Sequence, residues 1–322
     1  MVKPNDVKSF KSKKIKALLN FFYFVCILLV GFYAYKKPYY NWGALPYMAV
    51  VLSYDNDDPK FIHDTIYQIA RQQIPSETYN QIADTSMNYK KRMLQNENDF
   101  YNLLPFYVVK PLYTGLIYLF YKSGISLLKA TVLPSVVAYV LIGLLLLIWV
   151  KIYLQLFFAF LSCILIMLFA PMLEVVKTSS PDCLATFLLL TALYFIIERK
   201  SLLIAFFFLL LSVFARLDNI IPCVFILSLL AFTDKWKEKI PMKKYFSVLL
   251  ILTDSYFVIT ANALKFGWSL LYYPSFAKHL NLSYEAHAAF SFKDYFILYP
   301  YYKQFFLFSF YFIYAAFINN IY

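Results

Sequence analysis

The sequence predicts an all-α polytopic membrane protein with about eight transmembrane helices and additional amphipathic helices in the membrane interface. Its 322 residues are 61% hydrophobic, 21% aromatic and only 15% charged, and the mean hydropathy of +0.60 is too high for a soluble domain. The net charge of +12 comes largely from lysines in short loops and in the N-terminal arm. Lysines in such places set topology and meet anionic lipid head groups. We therefore expect the lipid bilayer as a partner, and no nucleic acid.

The first element is a basic cytoplasmic arm, residues 1–16, that leads into the apolar run 17–35. No small-residue cleavage site follows this run, which predicts a retained signal anchor with a cytoplasmic N-terminus. The expected location is the plasma (inner) membrane, in a multi-pass arrangement. The four cysteines lie in or beside apolar runs without paired spacing, which indicates packing rather than disulfide or metal sites.

The hydropathy pattern predicts eight crossings with both termini inside, since a span needs about 20 apolar residues. The crossings are expected at 17–35, 130–150, 152–172, 182–197, 201–215, 219–233, 245–264 and 303–321. The membrane core is thus 17–264, with a first outer loop at 36–129. A second outer loop, 265–302, could close over the first. The last span, 303–322, ends with the chain, so further C-terminal spans are left open.

One apolar segment, 104–121, decides the topology. If it crosses the membrane, Lys151, the turn at 198–200 and the lysine-rich stretch 234–244 lie opposite the basic N-terminus. If it lies in the outer interface, all three join the N-terminus on the cytoplasmic side, as the positive-inside rule expects. The segment is also interrupted by polar and helix-breaking residues, namely Pro105, Lys110, Pro111 and Gly115. We therefore predict an interfacial helix here.

A second interfacial helix is predicted after Asp58-Pro59, an N-cap followed by proline at the first helical position. The apolar residues behind it recur at helical spacing: Phe61, Ile62, Thr65, Ile66 and Ile69. This pattern indicates an amphipathic helix on the membrane surface. His63 falls one residue off the apolar stripe and is expected at the surface.

The predicted topology gathers the charged residues Asp55, Asp57, Asp58, Asp182, Arg216 and Asp218 on the outer face. Two short motifs stand among them, at 179–184 (SSPDCL) and at 215–219 (ARLDN). Together with the order of spans and loops over residues 17–264, they resemble the GT-C class of integral-membrane glycosyltransferases. That class includes bacterial enzymes that use polyprenyl-phosphate-linked sugars as donors.

The resemblance implies one acid in the first outer loop, acting as base or metal ligand, and a second acid at the outer start of a later span. Asp182 matches the second position, because it begins a helix and lies at the positive end of the helix dipole. The alternative is that Asp182 only stabilises the start of that helix. Both interpretations remain open at this point.

The first acid is expected at position 43, because the stretch 41–48 resembles the start of the family's first loop helix. The chain has Gly43 there. Asp55 and Asp57 follow one helix length later and could supply the carboxylate, with Asp57 and Asp182 as ligands of a divalent cation, the candidate cofactor. The alternatives are that both are solvated turn residues and Asp58 a helix cap, or that the enzyme is impaired.

Further residues are assigned to substrate binding. A guanidinium at an outer membrane edge suits a lipid phosphate, so Arg216 is the phosphate candidate, with Asp218 beside it. An internal ion pair of Arg216 with Asp218 or Asp182 is the alternative. The remaining candidates are Trp42, His279 and His287. Asp254 falls within the predicted span 245–264, where a carboxylate needs a protein or water-filled surrounding.

The function that the resemblance implies is transfer of a sugar from a polyprenyl-phosphate-linked donor to an acceptor on the extracytoplasmic face. A lipid-linked donor fits the chain, because it has neither a soluble domain nor a glycine-rich phosphate loop for a nucleotide sugar. The alternatives are a transporter or flippase of lipid-linked saccharides, for which internal repeats and interrupted helices are expected, and a catalytically impaired family member.

Overall fold

A computed structural model describes residues 4–83, 88–232 and 242–263, all within the compact unit Met1–Lys265. These residues form helices and turns without any strand, which confirms the predicted all-α class. The α-helices are α1 (Pro4–Lys36), α2 (Ala44–Leu52), α3 (Pro59–Gln73), α4 (Ser76–Ile82), α5 (Asn88–Gln95), α6 (Glu97–Tyr101), α7 (Pro105–Val108), α8 (Pro111–Lys122), α9 (Leu127–Val150), α10 (Leu156–Met167), α11 (Ala170–Lys177), α12 (Asp182–Tyr194), α13 (Leu202–Ala215), α14 (Ile220–Phe232) and α15 (Met242–Ala263). A π-helical turn, Phe195–Arg199, extends α12, and a 3₁₀ turn, Leu217–Asn219, precedes α14.

In the described part of the chain, two helices are long and apolar enough to cross a membrane, Lys14–Lys36 and Leu127–Val150. Two further pairs of helices are bent. One pair is Glu97–Val108 with α8, and the other is α10 with α11; if each pair counts as one crossing, the total is up to four. This is fewer than the eight crossings expected from hydropathy. The difference arises because hydropathy counts apolar residues, whereas a span also needs helix continuity.

Two segments show this directly. The expected span 152–172 is split into α10 and α11, whose axes differ by 58°. The 14 residues of α13 cover only about 21 Å at 1.5 Å per residue, less than the hydrocarbon thickness of about 30 Å. The expected span 303–321 and the second outer loop lie outside the described residues.

The packing of α1 against α9 places two side chains of α1 directly against the backbone of a glycine in α9. A Cβ atom added at Gly143 would lie 2.5 Å from the Cδ1 atom of Ile27, and the Tyr23 hydroxyl donates a 2.8 Å hydrogen bond to the Gly143 carbonyl. Tyr23 and Ile27 are both fully buried. Small residues at such a crossing permit close helix approach within a membrane.

One end of this helix bundle is formed by the end of α1 and the start of α9. The Lys129 ammonium lies 5.6 Å from the Tyr35 ring, and the Lys177 ammonium lies 4.8 Å from the Tyr33 ring. The Tyr39 amide donates to the Lys177 carbonyl at 2.9 Å. We call this the site end. The chain between α1 and α9 therefore leaves and re-enters the bundle at the same end.

The opposite end gathers the cytoplasmic candidates. Lys151 donates to Asn20 at 3.3 Å, and Glu198 accepts hydrogen bonds from the Trp149 indole at 2.8 Å and from Tyr153 at 2.5 Å. Lys151 and the turn at 198–200 thus share one end of the bundle with the N-terminal half of α1. This grouping agrees with the positive-inside reasoning, although residues 233–241 lie outside the described part.

The first outer loop folds into a small helical layer against the bundle. All nine residues of α2 are buried, and α3 begins after Asp58, whose carboxylate accepts from the Lys60 amide at 3.1 Å. The cap interpretation of Asp58 is confirmed. The apolar stripe of α3 is buried at Ile62 and Ile66.

The surface assignment of His63 is wrong. Its ring is buried and packs on Tyr67 and Phe100, with centroids 4.7 and 5.7 Å away. The Nε2 atom lies 3.1 Å from the Met93 carbonyl. Helices α5 and α6 cover this face of α3, so its buried surface is wider than the apolar stripe alone indicates.

Candidate functional site

The segment before α12 holds Asp182 in a fixed position. The Thr131 and Ser179 hydroxyls are 2.7 Å apart, and Ser135 donates to the Ser180 carbonyl at 2.8 Å. The Ser180 hydroxyl in turn donates to the Asp182 carboxylate at 2.5 Å. Residue 182 is the first of α12, so its carboxylate lies at the positive end of the helix dipole.

Arg216 lies between two carboxylates at the site end. Its Nη1 atom contacts Asp182, and its Nε atom donates to the two carboxylate oxygens of Asp218 at 2.8 and 3.0 Å. Because α12 and α13 run antiparallel, the start of the first meets the residue that follows the second. We call Asp182, Arg216 and Asp218 the carboxylate–arginine cluster. The convergence expected from the two motifs is present.

The cluster is accessible. The side chains of Asp182, Arg216 and Asp218 are 42%, 40% and 57% exposed. Pairs this exposed contribute little to stability, in general between about 0 and 1 kcal/mol. The ion-pair interpretation of Arg216 therefore describes the observed geometry but does not by itself account for three charges at an apolar helix end.

Lys110 lies in the turn between α7 and α8 and faces the cluster. Its ammonium is 4.8 Å from the Tyr107 ring centroid and 5.4 Å from that of Tyr47. The pKa of Lys110 falls from its ordinary value near 10.5 to about 8, chiefly because of burial; the charge of Arg216 also lowers it, while Asp218 and Asp182 raise it. The site therefore contains a second cation that the sequence reasoning did not assign.

Tyr47 connects this lysine to the start of α2. Its ring packs edge-on against Tyr107 and Tyr113, each with centroids 4.8 Å apart. Tyr47 also lies one helical turn after Gly43, where the resembled family has an acid. The start of α2, the α7–α8 turn and the cluster are thus neighbours at the site end.

Gly43 lies close to Asn41 and to the segment before α12. A Cβ atom added there would lie 3.3 Å from the Asn41 Oδ1 atom and 3.6 Å from the Ser179 carbonyl oxygen. The first distance requires a small shift of the Asn41 side chain, and the second is ordinary van der Waals contact. Trp42, beside Gly43, packs edge-on against Phe100 with a centroid distance of 6.4 Å. This contact joins Trp42 to the loop layer.

Asp55 is not brought into contact with the cluster. Its carboxylate accepts from Tyr118 at 3.0 Å and pairs with Lys122 at 2.9 Å. These contacts, the hydrogen bond from Lys122 first, lower the pKa of Asp55. Tyr118 and Lys122 lie 8 and 12 positions after Lys110, which at 1.5 Å per residue is about 12–18 Å along α8.

The two metal ligands proposed from the sequence lie near different ends of α2. Asp57 follows the end of α2, whereas Asp182 lies near its start, and the nine residues of α2 separate these ends by about 14 Å. Among the residues that the structure describes, no three or more His, Cys, Asp or Glu side chains form a group that could hold a metal ion.

His279 and His287 lie outside the described residues, and Asp254 is exposed on α15. Lys110 and Tyr47 were missed. A signal for Lys110 exists in the sequence, because a lysine between two proline-initiated helices in an apolar run is costly unless it has a partner.

Comparison of the chain with family models, with curated proteins and with solved structures finds no match. The geometry of the cluster and of its neighbours therefore carries the functional conclusion.

Proposed function

We propose that the protein is a membrane glycosyltransferase that moves a sugar from a polyprenyl-phosphate-linked donor to an acceptor hydroxyl. The observation that carries this proposal is the contact between Asp182 and Arg216, an accessible acid and a guanidinium at one end of an apolar helix bundle. Glycosyl transfer from a lipid phosphate needs a base for the acceptor and a cation for the departing phosphate. This pair provides one of each.

Asp182 is the proposed base, in place of the first-loop acids. Asp55 is engaged by Lys122 and Tyr118 at the far end of α8, and Asp57 lies beyond the end of α2. Asp182 takes the proton of the acceptor hydroxyl as the acceptor oxygen bonds to the anomeric carbon. The bond between that carbon and the phosphate oxygen breaks, and its electron pair leaves with the polyprenyl phosphate.

Arg216 is the proposed partner of that phosphate. The contacts with Asp182 and Asp218 engage the Nε–H and one Nη1–H group. The guanidinium has further N–H groups in the same plane, and a planar fork of this kind suits two phosphate oxygens. Asp218 fixes the orientation of the fork through both of its carboxylate oxygens.

The finer topology belongs to the same proposal. The site end faces outward, the N-terminus is cytoplasmic, and α12, α13 and α14 complete eight crossings together with the remaining spans, because the polar residues that flank these short helices reach the interface. What supports this is the grouping of Lys151 and the turn at 198–200 at the end opposite the cluster. Contacts of Trp42, His279 and His287 with the sugar remain predictions.

The test is transfer of labelled sugar by the purified full-length protein in lipid nanodiscs. A panel of polyprenyl-phosphate-linked sugars is supplied with an extract of envelope acceptors, with and without EDTA. Formation of a labelled product that is lost in Arg216→Met supports the proposal. Movement of intact donor across proteoliposome membranes, without any labelled product, would show a flippase instead.

A further inference from the structure

The carboxylate–arginine cluster alone is a poor site for an anion. Its two carboxylates outnumber its single guanidinium, so the three side chains carry one net negative charge. A phosphate that approaches Arg216 also approaches Asp182 and Asp218. Phosphate binding therefore needs another positive charge nearby.

Lys110 is placed to provide that charge. It enters from the α7–α8 turn, where its ammonium lies over the Tyr107 and Tyr47 rings, and its electrostatic neighbours include all three members of the cluster. The negative faces of aromatic rings stabilise an ammonium without adding a formal charge. When Lys110 is protonated, the four side chains together are neutral.

We propose that Lys110 is a phosphate-binding residue, which together with Arg216 holds the phosphate group of the lipid-linked donor. The identity of that donor rests on the proposed function, whereas the recognition of a phosphate group rests on the arrangement of the two cations. The proposal makes the tyrosine-lined turn between α7 and α8 a part of the substrate site.

A consequence is that phosphate binding depends on pH. The groups that face Lys110 are Tyr47 from α2, Tyr107 from α7, Asp182 from α12, and Arg216 and Asp218 between α13 and α14. Burial raises the pKa of Tyr47 well above its ordinary value, so this ring stays neutral. Lys110 loses its proton as the pH rises through about 8. The phosphodiester of the donor carries one negative charge throughout this range, and the prenyl monophosphate that leaves on transfer is dianionic above its second pKa of about 6.

The size of the effect follows from the protonated fraction of Lys110. That fraction falls about tenfold between pH 7 and pH 9 for a pKa of about 8. If only the protonated form binds phosphate, the apparent dissociation constant rises about tenfold over the same range.

The experiment measures binding of a short-chain prenyl monophosphate to the full-length protein, with the matching prenol as reference. Three variants are compared with the wild type: Lys110→Met, Lys110→Arg and Lys122→Met. Lys122 is the matched control, because it ends the same helix and also lies over tyrosine rings but pairs with Asp55. Inorganic phosphate and phosphatidylglycerol are added as competitors, to distinguish a free phosphate and a general lipid head group from the prenyl-linked one.

We expect Lys110→Met to weaken prenyl monophosphate binding at least tenfold at pH 7, with prenol binding unchanged and Lys122→Met within twofold of wild type. Lys110→Arg should bind equally well at pH 7 and pH 9. Displacement by inorganic phosphate supports recognition of the phosphate group. Four results would each overturn the assignment. They are equal losses of binding in Lys110→Met and Lys122→Met, wild-type binding that does not depend on pH, no wild-type binding, and equal displacement by phosphatidylglycerol. If binding depends on Lys110 but no sugar is transferred, the phosphate site is supported and the proposed glycosyltransferase activity is contradicted.

Discussion

Replacing Asp182 with Asn separates catalysis from binding in the proposed site. The amide keeps the shape of the side chain and can still accept a hydrogen bond from Ser180, but it cannot take a proton from an acceptor hydroxyl. We expect turnover to fall by about 10²-fold or more, the usual contribution of a general base.

Stability should change little in the same variant. Asp182 and Arg216 are 42% and 40% exposed, and exposed pairs are worth about 0–1 kcal/mol. The helix-dipole contribution of an acid in the first turn adds about 0.3–1 kcal/mol. Arg216 keeps both contacts with Asp218, at 2.8 and 3.0 Å, so no unpaired charge is left behind. The expected loss in the free energy of unfolding is about 1 kcal/mol.

Phosphate binding should be retained or tighter in Asp182→Asn, because the substitution removes one negative charge from the cluster. Steady-state kinetics with the labelled donor then give a lower kcat without a higher KM, and thermal unfolding in nanodiscs measures stability. Asp99→Asn is a control, since Asp99 also pairs with an arginine, Arg92, at 2.8 Å, but lies in the loop layer. Transfer by Asp182→Asn within threefold of wild type would refute Asp182 as the base, and loss of phosphate binding would assign it to positioning Arg216.

Three further outcomes are expected. Asp55→Asn should leave transfer within threefold of wild type, because its carboxylate is engaged at the far end of α8; a 10²-fold loss in the kinetic assay would return the base to the first loop. In intact cells, Ser123→Cys should react with an impermeant maleimide, since Ser123 is exposed in the turn before α9 at the site end. Lys151→Cys, at the opposite end, should not react. The reverse labelling pattern would show that the proposed orientation in the membrane is wrong. Gly143→Ala should lower the free energy of unfolding by about 1–3 kcal/mol through overpacking, as measured by thermal unfolding. Gly115→Ala is the control, because no atom lies within 4 Å of its added Cβ. Equal effects of the two substitutions would contradict the close helix crossing.

The sequence predicted those features that depend on local patterns. The all-helical class follows from apolar runs, and the start of α3 follows from Asp58-Pro59, whose cap depends only on neighbouring residues. The return of the chain to the site end before α9 follows from charges that mark each end of the bundle. The meeting of Asp182 and Arg216 follows from antiparallel α12 and α13, joined by a short turn.

The number of continuous spans required the tertiary structure. A hydropathy window cannot distinguish one straight helix from two helices that meet at an angle, as α10 and α11 do. The burial of His63 also required the tertiary structure. The sequence of α3 predicts an exposed histidine, because it contains no information about α5 and α6, which cover this residue.

The composition of the candidate site was decided last and only in three dimensions. Asp55 is paired with residues of α8 that are more than 60 positions away in the sequence, and the nine residues of α2 place it far from Asp182. Lys110 lies over the Tyr47 and Tyr107 rings, where the charges of the cluster act on it, and it lies where the chain bends by 109° between the helix ending at Val108 and α8. Residue types and local spacing therefore determined which groups could take part, whereas helix lengths and bend angles, which depend on long-range packing, determined which of them meet.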